Sequence, residues 1–377
     1  MSTLATNNIT DAAGGNTATI NGMTPTADSL QGFRNRILNG GMVIDQRNAG
    51  ASVTATGNPF TLDRWRAVNS QAAKFTVQQN AGSVTLPVGF TNYLGVTSSS
   101  AHATTSTDYF FLRQTIEGFN VADLAWGTAS AAPITLSFRV YSSLTGTFGG
   151  ALQNDAQNRS YPFSFSIPVA NTWTTVSITI AGDITGTWAT NNAGGILVGF
   201  GLGVGSTYSG TAGAWAGANY FSATGATSVV GTSGATFYIT GVQLEAGSVA
   251  TPFERRPYGT ELALCQRYFI NWVGNSSDIG FLAIGTGVVN TATTAVINIS
   301  TPVTLRATPT LSFSGTLSTF EGTVSPAVTS FSVVYTPSAN GFWASFSASS
   351  GGMTIGRGIF VYTANASTNV LSASAEL

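Results

Sequence analysis

Few residues in this sequence could carry acid–base, nucleophilic or metal chemistry. His102 is the one histidine and Cys265 the one cysteine. His102 lies in the stretch SSSAHATTSTD, which reads as an exposed, solvated loop. A Ser-His-Asp relay would have to be built on it, and no G-x-S-x-G turn accompanies it. A zinc site would need carboxylates to complete a set begun by one His and one Cys far apart in sequence. No metal and no other cofactor is therefore expected. Cys265 reads as a small core residue, since no histidine lies near it in sequence. The glycines Gly199, Gly201, Gly203 and Gly205 lack G-x-G-x-x-G spacing and a Walker lysine, which makes them a tight β element, not a phosphate cradle. Fifteen Asp and Glu suffice on inventory for paired-carboxylate glycoside hydrolysis. Asp45, Asp63 and Glu245, however, stand beside arginines or in framework segments, where structural ion pairing is expected. The reading is a protein that is not an enzyme.

Aromatic side chains give the better lead. Trp188 sits in GTWATNN, Tyr208 in GSTYSG, and Trp215 and Tyr220 in GAWAGANY. Aromatic rings among Gly, Asn and Ser suit a sugar, with the ring face on the pyranose and amides on its hydroxyls. These four are the candidate glycan-binding residues. The same rings could instead pack on a neighbouring subunit or cover a core edge; Trp272 and Trp343 share that ambiguity.

The elements that must position such rings are strands. Ile134, Leu136, Phe138 and Val140 share one parity, with Thr135, Ser137 and Arg139 on the other. Lys74–Gln78, Tyr109–Ile116 and Thr175–Ile180 alternate in the same way, and Gly195–Val204 is apolar on both faces, as a central strand is. In Ala235–Leu244 the apolar parity switches at Gly241, which predicts a bulge there. Arg34–Asn48 and Gly241–Tyr258 read as the first and last strands of this block. Thr260–Phe269 is the one helix, capped by Thr260, with Leu262, Cys265 and Phe269 on one face. Seven further strands follow, from Ile279–Ile284 to Val370–Leu377. The pattern predicts an all-β chain: a jelly-roll sandwich, then a second, smaller β-sandwich, with an extended N-terminal arm and one short linker helix.

Composition limits the partners. Apolar residues make up 43% of the 377, but charged residues only 8%, against about 25% in ordinary soluble domains. A net charge of −1 with a single lysine, Lys74, argues against a nucleic-acid partner. So weakly charged a surface gives little protection against self-association, which points to a homo-oligomer. No run reaches the ~18 apolar residues that span a bilayer, so membrane insertion is not expected. The N-terminus lacks the basic and apolar regions of a secretory signal. The product is expected to collect in the cytoplasm of the cell that makes it and to leave within a particle released by lysis. Residues 1–32 hold no aromatic residue and two acids, Asp11 and Asp28. Such a segment is either a disordered leader or an arm that orders on a partner.

Several motifs carry a resemblance. They are Asn35-Arg36-Ile37-Leu38-Asn39-Gly40-Gly41-Met42, Asp45-Gln46-Arg47, Leu62-Asp63-Arg64-Trp65, Val242-Gln243-Leu244-Glu245-Ala246-Gly247 and Thr251-Pro252-Phe253-Glu254-Arg255-Arg256-Pro257, with Leu262-Ala263-Leu264-Cys265-Gln266-Arg267-Tyr268 beyond. Residues 33–269 thereby resemble the carbohydrate-binding-module-like jelly rolls of bacteriophage tail and head fibre proteins. The resemblance implies an N-terminal arm over 1–32 that attaches to the particle, a jelly roll over 33–258, a linker helix over 259–270 near a threefold axis, and a C-terminal knob over 271–377. It implies a homotrimeric virion fibre that joins a tail or capsid protein and recognises a bacterial surface glycan without catalysis. A head-decorating fibre and a glycan depolymerase spike are the alternatives, although no β-helix repeat is present. The family hands over no catalytic residue. Arg34, Arg36, Arg47, Glu254, Arg255 and Arg256 are expected as inter-element or inter-subunit pairs.

Overall fold

Strand alternation decides which side chains meet. In a computed structural model, which describes residues 32–273, 282–322, 324–338, 341–363 and 370–377, the chain divides into two compact units. One ends at Arg256 and the other runs Pro257–Leu377. The expected arm over 1–32 lies, but for its last residue, outside the described residues.

The first unit contains β1 (Val53–Thr54), β2 (Arg66–Asn69), β3 (Phe75–Gln79), β4 (Leu94–Ser98), β5 (Tyr109–Glu117), β6 (Ile134–Ser142) and β7 (Gly146–Gln153). It continues with β8 (Ser160–Ile167), β9 (Thr174–Ile180), β10 (Gly194–Val204), β11 (Ser209–Gly210), β12 (Ser222–Ala223) and β13 (Thr236–Ala246). A six-stranded sheet has the order β1-β3-β4-β13-β6-β9, and a five-stranded sheet the order β2-β5-β10-β7-β8. Every pairing in both is antiparallel. Phe75, Val96, Leu136, Phe138 and Phe237 from the first meet Phe110, Leu112, Phe148, Phe163 and Phe200 from the second in one buried core. The fold is an all-β sandwich, and Gly195–Val204 is indeed central, buried on both faces along almost its whole length. Pro162 stands on the edge strand β8, where its missing N–H costs no ladder bond.

The bulge at Gly241 is present. The pairing of β13 with β6 shifts register between Thr240 and Gln243, and Gly241 has φ +61°. The outer face of the five-stranded sheet is roofed by its own chain. Phe221 stacks on Phe111 at 4.6 Å, and a Cβ on Gly149 or Gly201 would meet the Ser222 hydroxyl at 2.5 or 2.8 Å.

Arg34–Asn48 is not a strand. It runs irregularly, buried or half-buried throughout, beside the second half of β13, with backbone bonds from Arg36 N to Leu244 O (2.8 Å) and from Val242 N to Gly40 O (3.0 Å). Asn39 and Met42 take left-handed φ of +53° and +59°, which interrupt any ladder. Side chains answer many of the remaining backbone groups. Asn39 Nδ2 donates to the carbonyls of Ile44 (2.8 Å) and Asp63 (3.1 Å), while its Oδ1 accepts from Ile44 N (2.9 Å). Gln114 exchanges two 2.8 Å bonds with the Leu38 peptide. Arg256 donates to the carbonyls of Asn35 and Ile37. Trp65, fully buried, donates its indole N–H to Asn39 O (3.2 Å).

The second unit holds α1 (Tyr258–Gln266), β14 (Phe269–Val273), β15 (Leu282–Thr291), β16 (Thr294–Ser300), β17 (Thr310–Ser314), β18 (Leu317–Phe320), β19 (Val328–Ser338), β20 (Gly341–Ala348), β21 (Gly358–Thr363) and β22 (Val370–Ser374). Its sheets run β18-β21-β15-β16-β20-β19 and β14-β22-β17 around Ile270, Ile297, Phe342, Phe346, Val361 and Leu371. The helix begins two residues before the expected cap. Pro257, with φ −54°, precedes it, Thr260 lies inside its first turn and Phe269 has left it for β14. A proline's fixed φ suits helix entry, so no hydroxyl cap is required.

Replacing Asn39 by Ala would leave the Asp63 carbonyl and the Ile44 N–H buried and unanswered, while the Ile44 carbonyl keeps only the Asp63 N–H at 3.3 Å. At about 1–3 kcal/mol each, the loss should reach at least about 2 kcal/mol in urea or thermal unfolding. A loss below about 1 kcal/mol would show that the segment's hydrogen bonding is not what holds it.

Candidate functional site

On β6 the residues that alternate with the core-facing Leu136, Phe138 and Val140 point outward, and β9 pairs with them so that Arg139 faces Thr175 and Ser137 faces Ser177. These four floor a cleft of about 320 Å³ on the outer face of the six-stranded sheet. Its walls are Val88 and Phe90 from the loop before β4, Gly241 at the bulge, and Ala250–Phe253 with Arg255 from the segment after β13. Phe90 and Phe253 pack with centroids 5.2 Å apart, tilted by 53°. The Arg255 guanidinium lies over both rings, at 4.7 Å from Phe90 and 5.7 Å from Phe253. Val88 at the lip is 100% exposed.

The segment carrying Phe253 and Arg255 is firmly held. Glu245 accepts the Thr251 amide (2.9 Å), the Thr251 hydroxyl (2.6 Å) and Gln243 Nε2 (2.8 Å). Gln243 Oε1 accepts Glu254 N (2.7 Å), and Glu254 accepts the amides of Arg34 (3.2 Å) and Asn35 (3.0 Å). Arg34 reaches Thr251 Oγ1 (2.7 Å) and Pro252 O (2.8 Å) and lies 3.6 Å from Glu245. Thr135 and Thr179 bond the carbonyls of Gly247 and Ser248, each at 2.9 Å. Asp45 accepts the amides of Asn48 and Gly50, and Asp63 those of Gln46; burial pushes the Asp63 carboxyl up against the pull of those bonds and of Arg47. These carboxylates serve the scaffold.

Further along the same outer face stand Tyr93, Tyr141, Trp173 and Tyr238. Tyr238 stacks on Tyr141 (5.3 Å, 6°) and on Tyr93 (5.0 Å, 29°), and Trp173 closes the group at 5.5 Å from Tyr141. The Tyr93 hydroxyl donates to Ala81 O and accepts from Val84 N (3.1 Å), and burial pushes the hydroxyls of Tyr93 and Tyr238 up.

The four rings singled out in sequence lie elsewhere and form no single site. Trp188 is a core residue, 9% exposed, packed at 4.7 Å against Trp126 and at 5.4 Å against Trp215, with its indole N–H on Asp183 and Thr185. Trp215 is half-buried, donates to Ala181 O (2.8 Å) and lies under Arg159. Tyr208 joins Tyr109 (5.4 Å) and Phe221 (5.1 Å) over the five-stranded sheet. Tyr220, half-buried, occupies the space that a side chain on Gly210 would need. Trp188 and Trp215 are thus brought together; Tyr208 and Tyr220 are not part of that group, and none lines the cleft. Sequence reading missed Phe90, Arg139, Phe253 and Arg255. Arg139 had a signal, as an arginine on an otherwise Ser/Thr outward parity. Phe253 and Arg255 were hidden in a motif read as framework. Arg255 is not an ion-pair member among the described residues, whereas Arg36 pairs with Asp123 (2.5 Å) and Arg256 with Glu254 (3.3 Å).

His102 is not a solvated loop residue. Its Nε2 lies 3.0 Å from Asp108, and its ring packs edge-on against Phe110 at 5.4 Å. Asp108 also accepts from Ser70, Gln71 and the Thr105 amide and hydroxyl. Burial alone would raise its carboxyl, but these bonds outweigh it and hold it well below the ordinary range. The Asp183 carboxyl, with burial likewise opposed by the Arg159 guanidinium (2.5 Å), is also held down. Among the described residues, no group of three His, Cys, Asp or Glu is placed to hold a metal ion.

No protein-family model matches the sequence, and no curated protein matches it. Solved structures do. The enzymatically active domain of tailspike protein 4 of bacteriophage CBA120 is similar at 13% identity and a TM-score of 0.33, over 57% of this chain but only 22% of that one. TmCBM61 in complex with β-1,4-galactotriose is similar at 11% identity and a TM-score of 0.29, over 57% of this chain and 99% of that one. A family 11 carbohydrate-binding module from Clostridium thermocellum, solved with a β-1,3-1,4-mixed-linked tetrasaccharide, is similar at 10% identity and a TM-score of 0.26, over 53% and 98%.

Two outcomes follow from this geometry. A folded carboxyl held below its unfolded value contributes stability above the ordinary carboxylate pKa of about 3.9 and loses it as pH falls through the acid range. Melting of the wild type should therefore drop steeply below about pH 4, while Asp108→Asn melts several degrees lower at pH 7 and loses less on acidification. Parallel curves would refute the assignment. At the bulge, a Cβ on Gly241 would fall 2.7 Å from the Phe90 ring. Gly241→Ala should displace that ring, seen as a chemical-shift change confined to Phe90 and Phe253 among the aromatic signals.

Proposed function

We propose that this protein is a non-catalytic fibre component of a bacteriophage virion, a homotrimer that holds a bacterial surface glycan in the cleft of its first sandwich. The observation that carries the glycan reading is the cleft itself. Apolar ring surface from Phe90 and Phe253 stands beside the hydroxyls of Ser137, Thr175 and Ser177 and the guanidinium of Arg139. A sugar presents both faces, C–H and O–H, and such a site answers both. The clamp made by Gln243, Glu245, Glu254 and Arg34 fixes the aromatic wall before any ligand arrives, which lowers the ordering cost of binding.

Absence of catalysis is supported by the lining, which contains no Asp or Glu. Glycoside hydrolysis generally needs two carboxyl groups across the scissile bond. The virion role rests on the fibre-like motifs Asn35–Met42, Leu62–Trp65, Val242–Gly247 and Thr251–Pro257, and the trimer on a chain with only 8% charged residues and net charge −1, which leaves its surface weakly charged. In this reading residues 1–32 attach the fibre to the particle, and the protein is made in the host cytoplasm.

The purified full chain should bind host capsule or lipopolysaccharide and release no oligosaccharide, while Phe253→Ala weakens binding at least about tenfold, the loss of one stacked ring. Released sugar would overturn the non-catalytic reading, and no binding by the wild type would overturn glycan recognition. Mass photometry should give three times 38.7 kDa, and a stable monomer would overturn the trimer.

A further inference from the structure

Resting on the reading of this cleft as a glycan site, we infer that the glycan it takes is acidic, a saccharide that carries a carboxylate, sulfate or phosphate group. The cleft's lining holds two ionisable side chains, Arg139 and Arg255, both cations, in a chain with only 14 Lys and Arg in all. Neither makes a hydrogen bond or an ion pair with any described residue. Arg255 has its rings, Phe90 and Phe253; Arg139 rises from the floor opposite Thr175.

The carboxylates close by in sequence are already engaged. Glu245 is taken by Gln243 and Thr251, with Arg34 3.6 Å away. Glu254 is taken by Arg256 and by the amides of Arg34 and Asn35. The protein thus builds a walled, partly apolar site, leaves two guanidinium groups in it and supplies no counter-ion from among the described residues. Two like charges in one cleft repel each other, and an oxyanion between them turns that cost into two charge-assisted contacts. Arginine suits the role because its planar fork matches carboxylate, sulfate and phosphate oxygens alike.

The test uses the full chain on a panel of immobilised oligosaccharides in matched acidic and neutral forms. The probes are oligogalacturonate against its methyl ester, sialylated lactose against lactose, and sulfated and phosphorylated mannose oligomers against the unmodified sugar. Signal should be confined to acidic members, fall at least tenfold for each of Arg139→Gln and Arg255→Gln, and weaken as salt rises from 50 to 500 mM through screening of the paired charges. Which acidic members bind separates carboxylate from sulfate and phosphate. Unchanged melting curves must accompany the loss, and the salt dependence of the wild type tests the charges even if a variant misfolds. Neutral members bound as well as their acidic partners, with signal indifferent to salt, would overturn the acidic ligand and leave the glycan reading standing. No signal on any member would overturn both.

Discussion

A chain segment that is buried yet leaves the sheet must have its peptide groups answered by side chains, and the first sandwich depends on how residues 34–48 meet that demand. An unanswered buried donor or acceptor costs about 1–3 kcal/mol, so a stretch of this length without partners would cancel most of a domain's net stability. Asn35 and Asn39 from within the segment, and Gln114 and Arg256 from two distant parts of the chain, supply the missing ladder. The close approach this requires explains Gly40, where a Cβ would lie 2.1 Å from Val242 O. The motifs that look like a signature are the residues of this hydrogen-bonded closure.

The closure and the cleft share parts. Arg34 and Asn35 bond Glu254, and Glu254 in turn sits between Phe253 and Arg255 in the chain. Packing that holds the scaffold shut therefore also fixes the aromatic wall. The bulge contributes as well, since the register shift between Thr240 and Gln243 lets β13 bury Ile239 and Leu244 while opening the sheet surface beside Phe90.

Much of the fold was legible because period-two alternation survives wherever one sheet face is buried. Tyr109–Glu117 and Thr174–Ile180 each differ from the expected Tyr109–Ile116 and Thr175–Ile180 by one residue at one end, and Phe75–Gln79 lies one residue on from Lys74–Gln78. Gly146–Gln153 and Ser160–Ile167 were not read as strands. The first owes its burial to glycines that admit Ser222, and the second carries a proline its edge position tolerates. Arg34–Asn48 was misread as a strand because apolar spacing at Ile37, Met42 and Ile44 reports burial, and burial here comes without a ladder. Among candidate rings, Trp188 and Trp215 lie in Gly- and Asn-rich loops whose composition suggests exposure, yet Arg159, Asp183 and Trp126 draw them inward. Phe90 and Arg255 come to line one cleft only through contacts across more than a hundred residues.

The same closure sets how the first unit bears load. Its incoming strand of chain at Arg34–Ile37 and its outgoing one at Thr251–Arg256 are bonded directly to each other, through Arg34 to Thr251 and Pro252, Asn35 to Glu254, and Arg256 to Asn35 and Ile37. Tension applied to the chain on either side runs through this clasp and bypasses the eleven strands of the two large sheets. The two sheets hang beside the line of force, and of the cleft only the wall at Thr251–Arg255 lies in it, so a pull must break the clasp before it can distort the strands that floor the cleft.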